Sequence, residues 1–279
     1  MPSLHKLRII GFKALQSVGF HIVPNHFYEP VPDTRKLPES TWTKPSSLAG
    51  IDMKESSQLK LLAALCGQFG AEFGNIPTSS QFGSVDLEIL YSMVRQLRPR
   101  VVLEVGSGTS TQVSASALIK NGCGELVAVE PYPNETIKKG FPGLTRLIAA
   151  PVQQVELSEF ECLGKNDILF IDSSHMLKIG SDVQFLFLEV LPRLKTGVVV
   201  HIHDIFLPAN YPRHWVVDDL RFWNEQYILQ AFLAFNRAFE VLWAGSYMNM
   251  NYPERLESVF PSYRRGQTSP GSFWMQKIC

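Results

Sequence analysis

Val101-Val102-Leu103-Glu104-Val105-Gly106-Ser107-Gly108-Thr109-Ser110 is the stretch that decides the fold. A β-branched, apolar run ends in a carboxylate, then in two glycines spaced by one residue. An amphipathic, helix-compatible segment follows at once. Together these spell a strand, a tight turn and a helix N-terminus, the place where an α/β sheet holds a nucleotide-like ligand.

Outward from this turn, strands and helices alternate. The sequence predicts strands over 101–105, 125–130, 144–149, 167–172 and 196–203. Their near-continuous apolar character suits a parallel sheet with helices on both faces. Upstream, Leu59, Leu61, Leu62, Leu65 and Phe69 keep helical spacing within 52–74. Pro77-Thr78-Ser79-Ser80 breaks that helix. Ser84 is expected to cap a second helix, stopped by Pro99. Ser181 is expected to cap an apolar helix running to Val190 and closed by Pro192. Past residue 204 a long loop reaches about residue 222, a helix follows over 223–235, and strand-like runs occupy 239–244 and 272–278. The late pair suggests an antiparallel hairpin on one edge. Residues 1–50, rich in proline, histidine and aromatics, read as an N-terminal cap: a short helix and an extended arm. Residues 51–279 read as one α/β domain.

Composition narrows the functions. The 279 residues, 45% of them hydrophobic, suffice for one large α/β domain with an appendage. With 26 basic and 26 acidic side chains, the chain has no field to attract a phosphate backbone, which argues against nucleic acid as a partner. No apolar run approaches the ~20 residues of a membrane span. The N-terminus is mildly basic (His5, Lys6, Arg8, Lys13) but lacks the apolar core and cleavage site of a secretory signal. It reads as a helix packed on its own domain; the alternative is a basic amphipathic helix touching a membrane or a partner. Cys66, Cys123, Cys162 and Cys279 form no C-x-x-C pair and match no zinc spacing. They read as free thiols of a cytoplasmic protein, with Cys66 in the core. A homo-oligomer is compatible with the sequence.

The residues around the glycine turn select its ligand. Dinucleotide binding wants a third glycine where Thr111 stands, and no G-K-S/T phosphate loop exists. The second strand ends at Glu130, where a carboxylate can accept both hydroxyls of a ribose. Glu104, just before the turn, repels a pyrophosphate but can stabilise an ammonium group. A cofactor with a ribose and an amino-acid tail, without phosphate, satisfies all three positions. S-adenosylmethionine fits.

These residues resemble the class I S-adenosylmethionine-dependent methyltransferases. Glu104-Val105-Gly106-Ser107-Gly108 looks like their first motif, with Ser110 where a third glycine is frequent. Glu130 stands at their ribose-binding position. Phe82-Gly83-Ser84-Val85-Asp86, Ile171-Asp172-Ser173-Ser174-His175 and His201-Ile202-His203-Asp204-Ile205-Phe206 add a likeness to the methyltransferase domain 24 type, which acts on small molecules. The likeness covers roughly residues 80–235. It implies a Rossmann-like, doubly wound seven-stranded sheet of order 3-2-1-4-5-7-6, with strand seven antiparallel. It also implies a cofactor site at Phe82, Glu104, Gly106, Ser107, Gly108, Glu130, Pro131 and Asp172.

Methyl transfer to a hydroxyl needs the acceptor aligned and its proton removed. Two strand ends carry suitable groups. One delivers Asp172 and His175, the other His201, His203 and Asp204; alternation puts His201 and His203 on one face. In one reading, His175 or His203 is a general base oriented by Asp172 or Asp204. In a second, Asp172, His203 and Asp204 bind a divalent metal, as the metal-dependent catechol-type enzymes do with oxygen ligands; His203 would favour a transition metal. In a third, the groups only bond one another. His201, nearer the sheet interior, reads as a satisfied core residue. His26, Tyr28 and Tyr211 could wall an organic acceptor, and Arg213 or Arg221 could clamp a carboxylate on it. Phe222 and Trp223 read as ordinary packing. The pocket is expected beneath residues 20–45 and 205–223. Two rival functions remain: a metal-dependent oxygenase with a two-histidine, one-carboxylate site, and a cofactor-binding subunit without catalysis.

Overall fold

The computed structural model describes residues 4–77 and 82–279. The chain divides into two compact units: residues 1–43 with 212–222, and residues 44–211 with 223–279. The smaller unit begins with helix α1 (Leu4–Ser17) and continues through turns to short helices at Ser40–Thr43 and Arg213–Val217. Asp33 organises its middle, accepting from Arg35 Nε and Nη2 at 2.8 and 2.9 Å and from Asn25 Nδ2 at 3.0 Å. The Arg35 guanidinium, helped by Asn25, holds that carboxyl well below the usual carboxylate range.

The larger unit is built on seven strands: β1 (Val101–Val105), β2 (Glu125–Val129), β3 (Arg146–Ile148), β4 (Ile168–Ile171), β5 (Val199–Ile202), β6 (Phe239–Ala244) and β7 (Phe273–Lys277). Their order is β3-β2-β1-β4-β5-β7-β6. The first five run parallel, and β7 is antiparallel to both β5 and β6. This is the doubly wound α/β sheet expected from the resemblance.

Strand periodicity divides the core in two. Leu103, Val105, Val129, Leu169, Ile171 and Ile202 pack on one face, with Val183, Leu186 and Leu229. Val102, Leu126, Ile168, Phe170 and Val199 pack on the other, with Leu65, Leu90 and Val113. Helices α2 (Glu55–Phe69), α3 (Ser84–Leu97) and α4 (Thr109–Asn121) supply the second layer, and α5 (Glu225–Leu233) contributes to the first. Each side chain so buried contributes about 2 kcal/mol. Asp167, buried at the entrance to β4, accepts from the backbone N–H groups of Arg100, Val101 and Gly164, each at 2.9 Å. It ties the lower ends of β1 and β4 together.

Several local expectations change. The helix expected over 52–74 tightens after Phe69 into a 3₁₀ segment, Gly70–Asn75. Gly83, not Ser84, is the N-cap of α3. Asp86 in its first turn accepts from Gly271 N and Ser272 N at 3.0 Å each, so α3 is fastened to the approach to β7. Ser181 caps its helix as expected, accepting from Gln184 N at 3.1 Å. That helix widens into a π turn (Leu186–Val190) before Pro192, which has no N–H to close a regular turn. The late strands do pair at the sheet edge, but helices at Gly245–Asn251 and Pro253–Val259 separate them, so they are no tight hairpin. The Thr78-Ser79-Ser80 break and the Cys66 side chain lie outside the described residues. Cys123, Cys162 and Cys279 are free, exposed thiols. No described helix is long and apolar enough to cross a membrane.

Candidate active site

Parallel pairing brings four strand ends to one edge. Gly106 N donates to Val129 O, Asp172 N to Val105 O, His203 N to Ile171 O and Glu130 N to Ile148 O, all at 2.9–3.0 Å. Residues 106, 130, 172 and 203 therefore leave the sheet side by side. Gly106 has φ +91°, and a Cβ there would lie 1.9 Å from the Asp172 carbonyl oxygen. Only glycine allows these two strand ends to meet. Thr111 Oγ1 accepts from Gly108 N at 2.9 Å and closes the turn into α4.

A cleft of about 490 Å³ opens beside the turn, lined by Gly106, Glu130, Pro131, Val152, Asp172 and Lys178 among others. Glu130 Oε1 accepts from Tyr132 N at 2.8 Å, which fixes the carboxylate and leaves its second oxygen for another donor. Asp182, also in the lining, is held by Ser174 N and Oγ. Behind the turn, Glu104 is fully buried. Its Oε1 accepts from Ser110 Oγ at 2.5 Å, while its Oε2 has no partner. Ser107 Oγ is likewise buried and unpartnered. Burial pushes Glu104 up to about 8, against the pull of the Ser110 and Thr111 hydroxyls. An unsatisfied buried polar group costs about 1–3 kcal/mol, and two of them stand beside this turn.

The second cluster joins β4 and β5. His175 Nδ1 lies 2.8 Å from Glu225 Oε2, and its Nε2 lies 3.3 Å from Asp172 Oδ1 and 3.8 Å from Asp204 Oδ2. Its carbonyl accepts from Asn224 N and Glu225 N, and its ring packs on Trp223 at 4.3 Å. Burial works against a charge here, but Asp172 and Glu225 outweigh it and push the imidazole up to about 10. His175 is thus clamped between carboxylates from two elements, an arrangement that favours its charged form. Burial likewise opposes a charge on Asp172, yet His203 and His175 hold its carboxyl below the usual range.

His203 differs. Its ring stacks on Phe82 with centroids 3.9 Å apart; its Nδ1 is buried without a partner, and its Nε2 is 3.6 Å from Asp204 Oδ1. Phe82 therefore sits with the histidine pair and not in the cleft lining. His201 shares the face of His203, sandwiched by Phe170 at 4.0 Å and Trp274 at 4.7 Å. It is a core residue as expected, but its Nδ1 is unsatisfied, and burial holds the ring neutral, well below the usual imidazole range. Among the described residues, no group of three His, Cys, Asp or Glu is set to hold a metal. Asp172 Oδ1 and Asp204 Oδ2 both face His175 Nε2, at 3.3 and 3.8 Å.

The acceptor residues fall in two places. Tyr211 is buried beside Trp223, its hydroxyl accepting from Gln226 N at 3.2 Å; Trp223 is thus part of the histidine surround as well as packing. His26 and Tyr28 belong to the smaller unit, stacked with Phe27 in an exposed turn. Arg213 begins a short helix there, and the Arg221 guanidinium lies 4.9 Å over the Trp215 ring.

Residues 103–205, which hold both clusters apart from Glu225 and Phe82, match a methyltransferase domain family. The chain is also 29% identical over 174 residues to an uncharacterized protein of Archaeoglobus fulgidus, covering 55% of this chain and 78% of that one. Among solved structures it is similar to the O-methyltransferase TomG of Streptomyces achromogenes in complex with S-adenosylmethionine (14% identity, 79% of this chain, 90% of that chain, TM-score 0.44). It is also similar to an O-methyltransferase from Bacillus cereus in complex with S-adenosylhomocysteine (16%, 81%, 92%, TM-score 0.41).

Glu225 is the site residue that sequence reading missed. It lies in the first turn of α5, fifty positions from the histidine it binds. The one available signal was a carboxylate opening a helix whose next turns are apolar. Asn224 adds to the clamp, bonding Leu177 through Oδ1 at 2.6 Å and Nδ2 at 3.3 Å.

Proposed function

We propose that the chain transfers the methyl group of S-adenosylmethionine to an oxygen of a small-molecule acceptor. The observation that carries this reading is the pair of buried, unpartnered oxygens, Glu104 Oε2 and Ser107 Oγ, behind a cleft lined by Glu130 and Asp172. Carboxylates disfavour a pyrophosphate and favour a cationic ligand. When bound, the cofactor supplies an electrophilic methyl group on a sulfonium. Glu104 would meet its ammonium and Glu130 the ribose hydroxyls. Gly106 and Gly108 would let the backbone approach, with Ser107, Pro131 and Asp172 shaping the cleft. On the acceptor side, His203 takes the hydroxyl proton, and Asp204 stabilises the imidazolium so formed. His175, held charged by Asp172 and Glu225, adds a fixed positive field for the developing alkoxide.

Calorimetry with S-adenosylmethionine tests the cofactor assignment. Micromolar binding is expected, and Glu130→Ala should weaken it about 10- to 100-fold through the lost charge-assisted hydrogen bonds. No binding at millimolar ligand removes the reading.

The sign of the pH dependence follows from Glu104. In the free protein its carboxyl is pushed up to about 8, so it is protonated at neutral pH. An ammonium beside it favours the anion, so binding expels a proton below that pH. Affinity should rise by up to about tenfold per pH unit from 6 to 8 and flatten above. Titrations in buffers of different ionisation enthalpy should reveal the released proton, and Glu104→Gln should abolish both effects. A Kd independent of pH, with no proton released, counts against an ammonium at Glu104.

A further inference from the structure

We propose that the segment formed by α1 and the turn after it, residues 4–28, docks the protein on an anionic lipid surface without crossing it. Two independent observations meet here. The first is exposure. Eight of the 18 exposed large apolar side chains among the described residues fall between positions 9 and 28. Ile10, Val18, Phe20 and Ile22 are 60%, 65%, 64% and 67% exposed, and Phe27 is 81% exposed. Apolar surface concentrated in this way marks an interaction site. The second is charge. Lys6, Arg8 and Lys13 precede the first acidic residue, Glu29, although the whole chain is neutral; the remainder is therefore net acidic.

The local geometry keeps the exposed apolar groups together. Phe20 N donates to Leu15 O at 3.0 Å and Gly19 N to Gln16 O at 3.1 Å, with Gly19 at φ +88°. This is a Schellman stop, which turns the chain back at the end of α1. Phe12 and His21 stack across the turn at 5.4 Å. The exposed residues on either side of Gly19 thus belong to one folded element. Basic charge with exposed Ile and Phe on a short helix is the chemistry of an interfacial segment. Its cations and its lack of any acid select an anionic bilayer over pairing with the same segment of a second copy, which would repel it. Three cations near such a surface strengthen binding by roughly a hundredfold.

Flotation of the full chain with vesicles decides the matter. Vesicles of phosphatidylcholine with one quarter phosphatidylglycerol should carry the protein; pure phosphatidylcholine should carry about a hundredfold less. Raising salt from about 0.1 to 0.5 M should release it, because screening shortens the reach of the charges. The exposed-site variants I10E/F20E and K13E should lose binding with unchanged circular dichroism. The control I119E/M250E, at exposed apolar positions elsewhere, should bind as wild type. No flotation with anionic vesicles, equal loss in the control, or a dimer in solution that I10E/F20E dissolves would each overturn the proposal.

Discussion

Gly106→Ala is expected to lower the melting temperature by about 10 °C and to abolish cofactor binding. The added methyl would sit 1.9 Å from the Asp172 carbonyl oxygen, which is backbone and cannot rotate aside. The left-handed φ of +91° adds strain of its own. Relief requires the ends of β1 and β4 to part, and those ends carry Glu104 and Asp172. The cost is about 4 kcal/mol, in the range reserved for severe core changes, and the melting shift follows from it for a chain of this size. Gly108 is the control. Its φ of 176° is extended and a Cβ there meets nothing within 4 Å, so Gly108→Ala should melt within about 2 °C of wild type. Differential scanning fluorimetry with and without S-adenosylmethionine separates the two. A Gly106→Ala protein that melts and binds normally refutes this account of the turn.

His203→Ala is expected to leave S-adenosylmethionine affinity within about twofold and to lower turnover by roughly 10²–10⁴, the usual contribution of a positioned base. The ring lies on the β5 side of the site, stacked on Phe82, while the cleft proposed for the cofactor is lined from β1, β2 and β4. Asp204→Asn should reduce turnover similarly, since it removes the carboxylate proposed to stabilise a His203 imidazolium. Glu225→Gln should cost less, because Asp172 still faces His175. The measurement is S-adenosylhomocysteine formed with a panel of phenols, catechols and sugars. Normal turnover by His203→Ala would take the proton transfer away from this residue.

Much of this architecture was legible because its signals are local. The run from Val101 to Gly108 carries strand, turn and helix start within ten positions. Ser181 caps its helix through a bond spanning three residues. The strand order came from the family resemblance, since pairing between distant strands leaves no local trace. What escaped reading depends on distance. Glu225 binds His175 only because α5 packs where β4 ends. Asp86 looks like a first-turn helix acid, and only the fold brings Gly271 and Ser272 to it. The pull on His175 toward its charged form likewise comes from two carboxylates on different elements.

The place of β7 bears on how the protein matures. It comes after β6 in the chain yet lies between β5 and β6 in the sheet. On the ribosome, β5 is therefore made with one edge bare. Only when residues 273–277 emerge does that edge gain its partner and His201 its Trp274 cover. The half of the site that would hold the cofactor can form early in synthesis. The strand bearing His203 and Asp204 is secured last, so a nascent chain would be able to bind before it is able to react.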